Sequence, residues 1–453
     1  MRERIIHIVA LSALALSQAI NAPAQPVTGV ATGFQHSLFL KADGSLWSMG
    51  FNASGQLGDG TFDSTNRPQK IVASNVTAIA AGGYHSLFIK SDGSLWATGA
   101  DDIGQLGDGT NNNANLPEKI VASNVVAIAA GESHTLFLKS DGSLWAMGAN
   151  EYGQLGDGTE GSTPYYGTNV PEQIVASNVT AIAAGYWHSL FIKRDGSLWG
   201  MGWNGDGELG DGTYNNTPFP EQLVASNVTA VAAGSAQTLF IKSDGSLWAT
   251  GWNQYGQLGD GTYGGVYPYE TNIPEQVVSS NVAAIVAGDW HSLFLKQDGS
   301  LWAMGSNDYG QLGDDTNNKT NRPEQIVTDG VTAIAGFDQS LFLRSDGSLW
   351  GMGYNYDGEL GDGTNTQTNR PELLVAGPAG YNQIVARLLR GSDLQFSFVG
   401  IAGANYALDR SYSIAPGNWA PQITNSANAS GAVIFTNTAD VTRDNFWRVR
   451  LAR

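Results

Sequence analysis

HSLFLKADGSLW, residues 36–47, is the stretch that decides the fold, because close copies of it recur along the 453-residue chain. The other copies read HSLFIKSDGSLW (85–96), HTLFLKSDGSLW (134–145), HSLFIKRDGSLW (188–199), QTLFIKSDGSLW (237–248), HSLFLKQDGSLW (291–302) and QSLFLRSDGSLW (339–350). Self-similarity at a period of about fifty residues is typical of repeat architectures, in which each copy is one supersecondary unit. The sequence therefore predicts seven equivalent units.

Each unit is predicted to contain four short strands. Alternating apolar segments flank Asp92-Gly93, which predicts a hairpin with a type I′ turn, whose two central residues take positive φ. The apolar run Val76–Ala81 precedes this hairpin, and a Gly-rich loop and a last strand, Glu118–Ala122, follow it. Four antiparallel strands in a meander form a propeller blade. We therefore predict an all-β chain, with a seven-bladed β-propeller followed by a small C-terminal β-sandwich-like domain.

The ring needs its two ends to meet. One blade buries too little apolar surface to be stable alone, so neighbouring blades must pack face to face, and closure removes exposed sheet edges. Val27–Thr32 matches the first strand of the later repeats. We expect it to lie beside the strand Glu372–Ala376 of the last repeat.

The repeat consensus resembles that of a known family. G-x-x-H-S-L-F-[LI]-K-x-D-G-S-L-W-x-x-G-x-N-x-x-G-Q-L-G-D-G-T recurs through residues 27–376 and is similar to the regulator of chromosome condensation repeat. The resemblance implies a seven-bladed propeller but no single function. The eukaryotic namesake is a nucleotide-exchange factor for a nuclear GTPase, whereas a secreted bacterial relative is a β-lactamase inhibitor. We expect a secreted bacterial protein similar in class to that inhibitor.

Three domains are predicted: a signal peptide (1–24), the propeller (25–376) and the C-terminal module (377–453). Arg2 and Arg4 precede the apolar run Ile5–Leu16, and Ala22-Pro23-Ala24 offers small residues for cleavage. The sequence therefore predicts export to the periplasm, the cell surface or the medium. No later apolar stretch approaches the roughly 20 residues of a membrane span.

Composition narrows the function classes. The net charge is -18 and Cys is 0, so nucleic acid is an unlikely class of partner, and disulfides and thiol chemistry are excluded. We expect a monomer without a cofactor.

Two repeated polar positions resemble metal-binding or catalytic sites, but we interpret both as structural. His36, His85, His134, His188 and His291 share a repeat position with Gln237 and Gln339. Gln is a poor transition-metal ligand and no general base, so the shared role is predicted to be a hydrogen bond from strand to loop. An Asp recurs in every Gly-rich loop without the alternating carboxylates of a calcium site, which favours turn capping: Asp59, Asp108, Asp157, Asp211, Asp260, Asp314 and Asp362.

One rim of the ring is predicted to bind a partner. In a four-strand meander the first and third loops leave the blade at one end, and the Asp-Gly hairpins leave it at the other. The hairpins are nearly uniform, whereas the other loops vary and carry large aromatic and acidic residues. The predicted partner-binding residues are Phe34, Tyr84, Glu132, Tyr186, Trp187, Trp203, Trp252, Tyr255, Asp289, Trp290, Phe337, Asp338 and Tyr354. Insertions in the third and fifth copies add Tyr165, Tyr166, Tyr263, Tyr267 and Tyr269.

These observations favour a secreted, non-catalytic protein that binds another protein, of basic or mixed charge, through this rim. Lectin-like carbohydrate binding stays open, as does a carbohydrate-active enzyme with an acidic channel. Another interpretation of the same aromatic residues is that they pack loop against loop and cap the channel.

Overall fold

The seven Asp-Gly hairpins organise the chain into seven four-stranded antiparallel sheets, in each of which consecutive strands are neighbours. The computed structural model describes residues 25–161, 167–264 and 270–378, and, further on, 385–388, 393–399, 405–411, 420–427, 432–438 and 446–451. Each sheet comes from one repeat, and its first strand contacts the first strands of both neighbouring blades. The prediction of a seven-bladed β-propeller is confirmed.

The strands follow one another blade by blade along the chain. Blades 1 and 2 contain β1 (Val27–Thr32), β2 (His36–Lys41), β3 (Leu46–Gly50), β4 (Thr65–Val72), β5 (Val76–Ala81), β6 (His85–Lys90), β7 (Leu95–Gly99) and β8 (Ala114–Val121). Blades 3 and 4 contain β9 (Val125–Ala130), β10 (His134–Lys139), β11 (Leu144–Ala149), β12 (Gly167–Val175), β13 (Val179–Ala184), β14 (His188–Lys193), β15 (Leu198–Gly202) and β16 (Thr217–Val224). Blades 5 and 6 contain β17 (Val228–Ala233), β18 (Gln237–Lys242), β19 (Leu247–Trp252), β20 (Glu270–Val278), β21 (Val282–Ala287), β22 (His291–Lys296), β23 (Leu301–Gly305) and β24 (Thr320–Val327). Blade 7 contains β25 (Val331–Gly336), β26 (Gln339–Arg344), β27 (Leu349–Gly353) and β28 (Thr368–Val375).

The hairpin turn differs from the predicted type I′ turn. The N–H of Gly44 donates to the carbonyl of Lys41 over 2.9 Å, and Gly44 has φ 75°, whereas Asp43 is not among the residues with positive φ. This is the three-residue loop in which a type I turn is followed by a left-handed glycine. In this loop Asp43 Oδ1 accepts the N–H of Ser45 over 2.9 Å, a bond from a turn Asp to the backbone two residues further on.

The core lies between blades. Phe137 is fully buried and packs against Leu87 and Leu106 of the preceding blade. Within its own blade it stacks on Trp145, with ring centroids 6.0 Å apart and an interplanar angle of 11°. The same Phe–Trp stack recurs in all seven blades. The apolar positions of the repeat therefore serve to join neighbouring blades.

The ring closes by the same contacts that join the other blades. Gln339 Nε2 of blade 7 donates to Ser37 Oγ of blade 1 over 3.1 Å, and the N–H of Gly363 donates to the carbonyl of Asn66 over 2.9 Å. Closure was predicted, but its partner strand was wrong. Strand β1 pairs with β2 and packs against β25 and β26, while β28 pairs only with β27. A complete fourth strand in every repeat makes strand exchange unnecessary.

Six further strands follow the last blade. They form two three-stranded sheets, β29-β30-β33 and β32-β31-β34, from β29 (Val385–Leu388), β30 (Asp393–Val399), β31 (Asn405–Ser411), β32 (Ala420–Ser426), β33 (Ala432–Thr438) and β34 (Phe446–Leu451). Phe396 and Phe435 of one sheet and Leu408 of the other belong to one buried cluster, which agrees with a small sandwich-like domain. Its boundary at residue 377 stays a prediction, as does the signal peptide, which lies outside the described residues. Within the described ranges, no helix has the length and apolar character to span a membrane.

A hydrogen-bonded chain at the hairpin of blade 3 supports the tryptophan of that blade. Trp145 Nε1 donates to Ser143 Oγ over 2.9 Å, and Ser143 Oγ donates to Asp141 Oδ1 over 2.6 Å. We expect Ser143→Ala to lower the free energy of unfolding by about 1 kcal/mol, because a buried serine that links two partners is removed. Urea denaturation measures this loss. Ser140→Ala, at an exposed position of the same hairpin, is the control, and an equal effect of both variants would contradict the assignment.

Candidate functional site

The repeated His/Gln position forms a ring of hydrogen bonds between neighbouring blades. Five histidines place Nε2 near a Ser or Thr hydroxyl of the next blade: His36–Ser86 (2.9 Å), His85–Thr135 (3.0 Å), His134–Ser189 (2.9 Å), His188–Thr238 (3.1 Å) and His291–Ser340 (2.8 Å). Gln237 Nε2 donates instead to the carbonyl of Gly288 over 3.0 Å. The predicted hydrogen-bonding role is confirmed, although the bond joins blade to blade and not strand to loop.

These imidazoles are neutral. Ser86 Oγ donates its proton to the carbonyl of Gln56 over 2.7 Å, so His36 Nε2 must be the donor in the bond to Ser86. Burial lowers the pKa of His85 to about 4 and that of the other four to about 3. In the part of the chain that the structure describes, no three His, Asp or Glu side chains are grouped to hold a metal ion.

The aspartates of the Gly-rich loops cap turns, as predicted. Asp157 Oδ1 accepts the N–H of Thr159 over 2.8 Å and Nδ2 of Asn150 over 3.0 Å. Equivalent bonds to the Thr two residues further on recur in the other six copies. These carboxylates therefore accept hydrogen bonds from residues of their own loops.

The variable loops meet at one opening of the ring. Phe51, in a third loop, contacts Tyr84, in a first loop, with ring centroids 6.0 Å apart. At the opposite opening the hairpins contact the links between blades, where the carbonyl of Gly44 accepts the N–H of Val76 over 3.0 Å. The structure thus agrees with the predicted division into a variable rim and a uniform hairpin rim.

Four first-loop residues form an axial cluster, defined as Phe34, Tyr84, Tyr186 and Phe337. Phe34 stacks on Tyr84 with centroids 5.5 Å apart, and it meets Tyr186 and Phe337 edge-on at 5.2 and 4.5 Å. Below them lies a cavity of about 90 Å³, lined mainly by small residues that end the first strands. This cluster caps the central channel, so loop-to-loop packing explains part of the aromatic content of the rim.

A second group lies beside the axis on blades 3 and 4. Trp187 contacts Tyr186, Tyr152 and Trp203, with centroids 5.1, 5.3 and 5.9 Å away. Its Nε1 donates to Glu132 Oε2 over 2.8 Å. Trp187 is therefore held in place by rings and by one carboxylate.

A pocket of about 430 Å³ opens between these loops and those of blades 5 and 6. We call it the tryptophan pocket, and it is lined by Glu132, Tyr186, Trp187, Asp206, Ser235, Ala236, Trp252, Asp289 and Trp290. Trp252 and Trp290 lie with centroids 6.3 Å apart and an interplanar angle of 57°. The tryptophan pocket brings together six of the thirteen residues that were predicted to bind a partner.

The other predicted residues lie beside the pocket or apart from it. Trp203 contacts Trp187, Tyr255 lies 5.8 Å from Trp290 between centroids, and Asp338 lies close enough to Asp289 for the Asp289 charge to raise its pKa. Tyr354 belongs to a separate tyrosine group with Tyr309 and Tyr356, with centroids 5.0 and 4.9 Å away. Phe34, Tyr84 and Phe337 stay in the axial cluster. Whether any of the thirteen binds a partner stays a prediction.

The predicted set missed Asp206, Ser235 and Ala236. Asp206 occupies the third-loop position that holds Tyr152, Tyr255 and Tyr309 in other copies, so aligning the copies would have revealed an acid among aromatics. Asp206 Oδ2 accepts Nε1 of Trp203 over 3.2 Å. Ser235 and Ala236 were visible only as the small members of a variable pair.

The pocket is acidic, and its carboxyl groups are strongly perturbed. Burial raises the pKa of Glu132 to about 7, and it also raises the pKa of Asp206 and Asp289. Ser235 Oγ donates to Asp289 Oδ1. Burial and then the nearby Asp289 charge raise the pKa of Asp338.

The inserted tyrosines are only partly described. Tyr263 is 41% exposed, and its hydroxyl donates to the carbonyl of Lys319 over 3.1 Å. Tyr165, Tyr166, Tyr267 and Tyr269 lie outside the described residues.

Comparisons with known proteins agree with the repeat. A model of the RCC1-like domain matches residues 12–274, and models of the regulator of chromosome condensation (RCC1) repeat match residues 282–311 and 298–339. Human WBSCR16 is 25% identical over 73% of this chain and 93% of its own, with a TM-score of 0.65. Prp20p of Saccharomyces cerevisiae is 20% identical over 80% of this chain and 88% of its own, with a TM-score of 0.65. Yeast RCC1 (Prp20) in a structure with Kap60 is 22% identical over 85% of this chain and 93% of its own, also with a TM-score of 0.65. The search of curated protein sequences gave no match.

Proposed function

This chain belongs to the family of proteins with an RCC1-like domain, and on that premise we propose that it is an exported binding protein that holds another protein at its variable rim. RCC1-like propellers act as scaffolds for protein–protein interaction. Yeast RCC1 (Prp20) has been solved with Kap60, and Prp20p has been studied for its binding to Gsp1p and histones. Those partners are not transferred to this chain, because 20% and 22% identity supports the fold alone.

The observation that carries the proposal is the tryptophan pocket, which lies on one side of an otherwise symmetric ring. Half-buried Trp187, Trp252 and Trp290 surround a concave space of about 430 Å³, and the hairpin rim keeps Asp-Gly-Ser in every blade. Trp and Tyr are enriched among the few residues that dominate binding energy at protein interfaces, because they bury a large rigid surface. A partner that covers this rim would bury indoles whose neighbours already fix their orientation.

Binding is favoured over catalysis because the imidazoles of the repeat are sealed between blades and neutral. Glycan binding is the second candidate, since an indole beside a carboxylate also suits a sugar ring. The acidic pair Asp289 and Asp338 is the group that a carbohydrate-active enzyme would use.

Site-specific photo-crosslinking tests the proposal. A photoreactive amino acid replaces Glu151, which is exposed on the variable rim, or Ser91, which is exposed on a hairpin. We expect the variant at residue 151 to capture a specific protein in the periplasm, at the cell surface or in the medium of the cells that produce it. We expect the variant at residue 91 to capture none. Equal capture from both rims would overturn the proposal. Retention on a glycan array without protein capture would replace it with glycan binding, and glycan hydrolysis would replace it with a carbohydrate-active enzyme.

Export is part of the proposal and has its own test. We expect the protein produced in a bacterium to be recovered outside the cytoplasm, with Gln25 as its first residue, because Ala22-Pro23-Ala24 presents small residues for cleavage. N-terminal sequencing and intact mass measure the processed form. Leu14→Arg is the control, because a charge in the apolar run should retain the unprocessed chain inside the cell. Unprocessed protein in the cytoplasm for both chains would contradict the prediction.

A further inference from the structure

We infer that the tryptophan pocket receives an arginine side chain of the partner protein, an inference that rests on the proposed function. The pocket combines several aromatic faces with three carboxyl groups, Glu132, Asp206 and Asp289, and none of its nine lining residues is basic. Its volume of about 430 Å³ leaves room for a long side chain and part of the backbone that carries it.

The aromatic walls point in different directions. Trp252 and Trp290 are tilted by 57°, and Trp187, on the other side of the pocket, is tilted by 71° against Tyr186. Rings in several orientations therefore line one space, and the negative face of an indole attracts an organic cation. A flat apolar docking site would need neither the tilt nor the acids.

The carboxyl groups are held by neighbours of the rings. Glu132 accepts Nε1 of Trp187 over 2.8 Å, and Asp206 accepts Nε1 of Trp203 over 3.2 Å. Asp289 accepts Oγ of Ser235. These bonds fix the acids before a ligand arrives, so a cation gains their charge without reordering the loops.

Elsewhere in the chain, tryptophan rings are paired with cationic side chains. A Lys or Arg lies over the tryptophan of every blade: Lys41 on Trp47 (4.4 Å), Lys90 on Trp96 (3.8 Å), Lys139 on Trp145 (3.8 Å), Lys193 on Trp199 (3.5 Å), Lys242 on Trp248 (3.8 Å), Lys296 on Trp302 (3.9 Å) and Arg344 on Trp350 (5.9 Å). In the described ranges, Lys319 lies over Tyr255 at 5.4 Å, and the tryptophans that have a Lys or Arg over their rings are the seven blade tryptophans, not Trp187 or Trp290. The arginine of the partner supplies this cation.

Guanidinium suits this pocket better than ammonium. A guanidinium is planar, stacks on aromatic faces and offers five N–H donors in a fixed fork, so it can lie on an indole and bind two carboxylates at once. An ammonium is a compact, strongly hydrated charge that loses more hydration in an aromatic enclosure. Glu132, Asp206 and Asp289 line the pocket from three different blades. Carboxyl groups placed apart in this way suit the spread N–H donors of a guanidinium better than the single charged centre of an ammonium.

The raised carboxyl pKa values make the affinity depend on pH. Below its pKa of about 7, Glu132 is protonated and neutral, and above it the group is anionic, so arginine should bind more tightly at pH 8 than at pH 5.5. Asp206 and Asp289 shift the affinity in the same direction. The charged groups facing these acids are Glu151 and Asp338, which are also acidic. The nearby tyrosines ionise only above this range: Tyr84, Tyr152, Tyr186 and Tyr309.

Titration of the full chain with N-acetyl-arginine methylamide tests the inference, with tryptophan fluorescence and calorimetry as readouts. We expect a dissociation constant on the order of 1 mM, as suits one side chain. The citrulline analogue, which has the same shape without the charge, should bind at least about 10-fold more weakly. Asp206→Asn and Glu132→Gln should each weaken arginine binding about 5- to 10-fold, and Phe219→Ala, at an exposed outer-strand position, should leave it unchanged. Thermal melting shows that each variant is folded.

Each other outcome overturns part of the account. Equal binding of citrulline and arginine would show that charge is not recognised, and a preference for the lysine or trimethyl-lysine analogue would replace guanidinium by ammonium. If no cation binds while the crosslinker at residue 151 still captures a protein, this inference fails and the proposed function stands. If neither occurs, both fail.

Discussion

His134→Gln is expected to protect the ring against acid by about 3 kcal/mol at pH 4.5, relative to its effect at pH 7. Burial lowers the pKa of His134 from 6.5 to about 3 in the folded protein. Above pH 6.5 neither state is protonated at this residue. As the pH falls below 6.5 the unfolded chain binds a proton that the folded chain refuses until about pH 3, so stability is lost with falling pH. Glutamine does not titrate and therefore carries no such loss.

The comparison of two pH values isolates this residue. Carboxyl groups with raised pKa change stability in the opposite direction, because they bind protons more readily in the folded state, but they are common to both proteins and cancel. Urea denaturation at pH 7 and at pH 4.5 gives the two free-energy differences. Gln339→His, at the equivalent position of blade 7, is the reciprocal control and should add a similar acid sensitivity. An identical pH dependence for wild type and His134→Gln would contradict the buried neutral imidazole.

Trp290→Ala and Trp187→Ala are each expected to weaken partner binding by about 30-fold or more, which corresponds to about 2 kcal/mol. Trp290 lines the tryptophan pocket between Trp252 and Tyr255, and its removal opens one wall. Trp187 also holds Glu132 through its Nε1, so its removal releases a carboxyl group as well as an aromatic face.

Surface plasmon resonance with the crosslinked partner, once identified, measures both losses. Phe219→Ala is the matched control, since Phe219 is 59% exposed and belongs to an outer strand, and it should change the affinity by no more than about 2-fold. Trp187→Phe keeps an aromatic ring but removes the donor to Glu132, and an intermediate loss is expected. A control variant that loses as much as Trp290→Ala would move the site from the rim to the outer surface.

The fold could be predicted from the sequence, because each repeat contains the turn residues and the apolar strand positions of a whole blade. The Asp-Gly pair sets the hairpin, the apolar positions set the blade faces, and seven copies set the ring. The turn type was wrong because the pair alone does not determine loop length. Asp43 retains a hydrogen bond to Ser45 in the three-residue loop.

The site could be predicted only as a rim. The repeat copies indicate which loop positions vary, and six of the pocket residues could be predicted in this way. The copies do not indicate which loops extend over the central channel. Phe34 of blade 1 touches Tyr186 of blade 4, a contact that no spacing in the sequence implies. Residues that close the channel therefore could not be separated from residues that face a partner. The sequence prediction missed Asp206, which occupies a loop position that holds Tyr in three copies and Asp in two.

Hydrogen–deuterium exchange of the wild-type protein, measured with and without its captured partner, locates the binding surface. We expect slower exchange in the first and third loops around the tryptophan pocket, residues 132–133, 186–187, 203–207, 235–236, 252–255 and 289–290, and unchanged exchange in the seven Asp-Gly hairpins. Protection confined to the hairpins, to the outer strands or to residues after 376 would contradict this expectation.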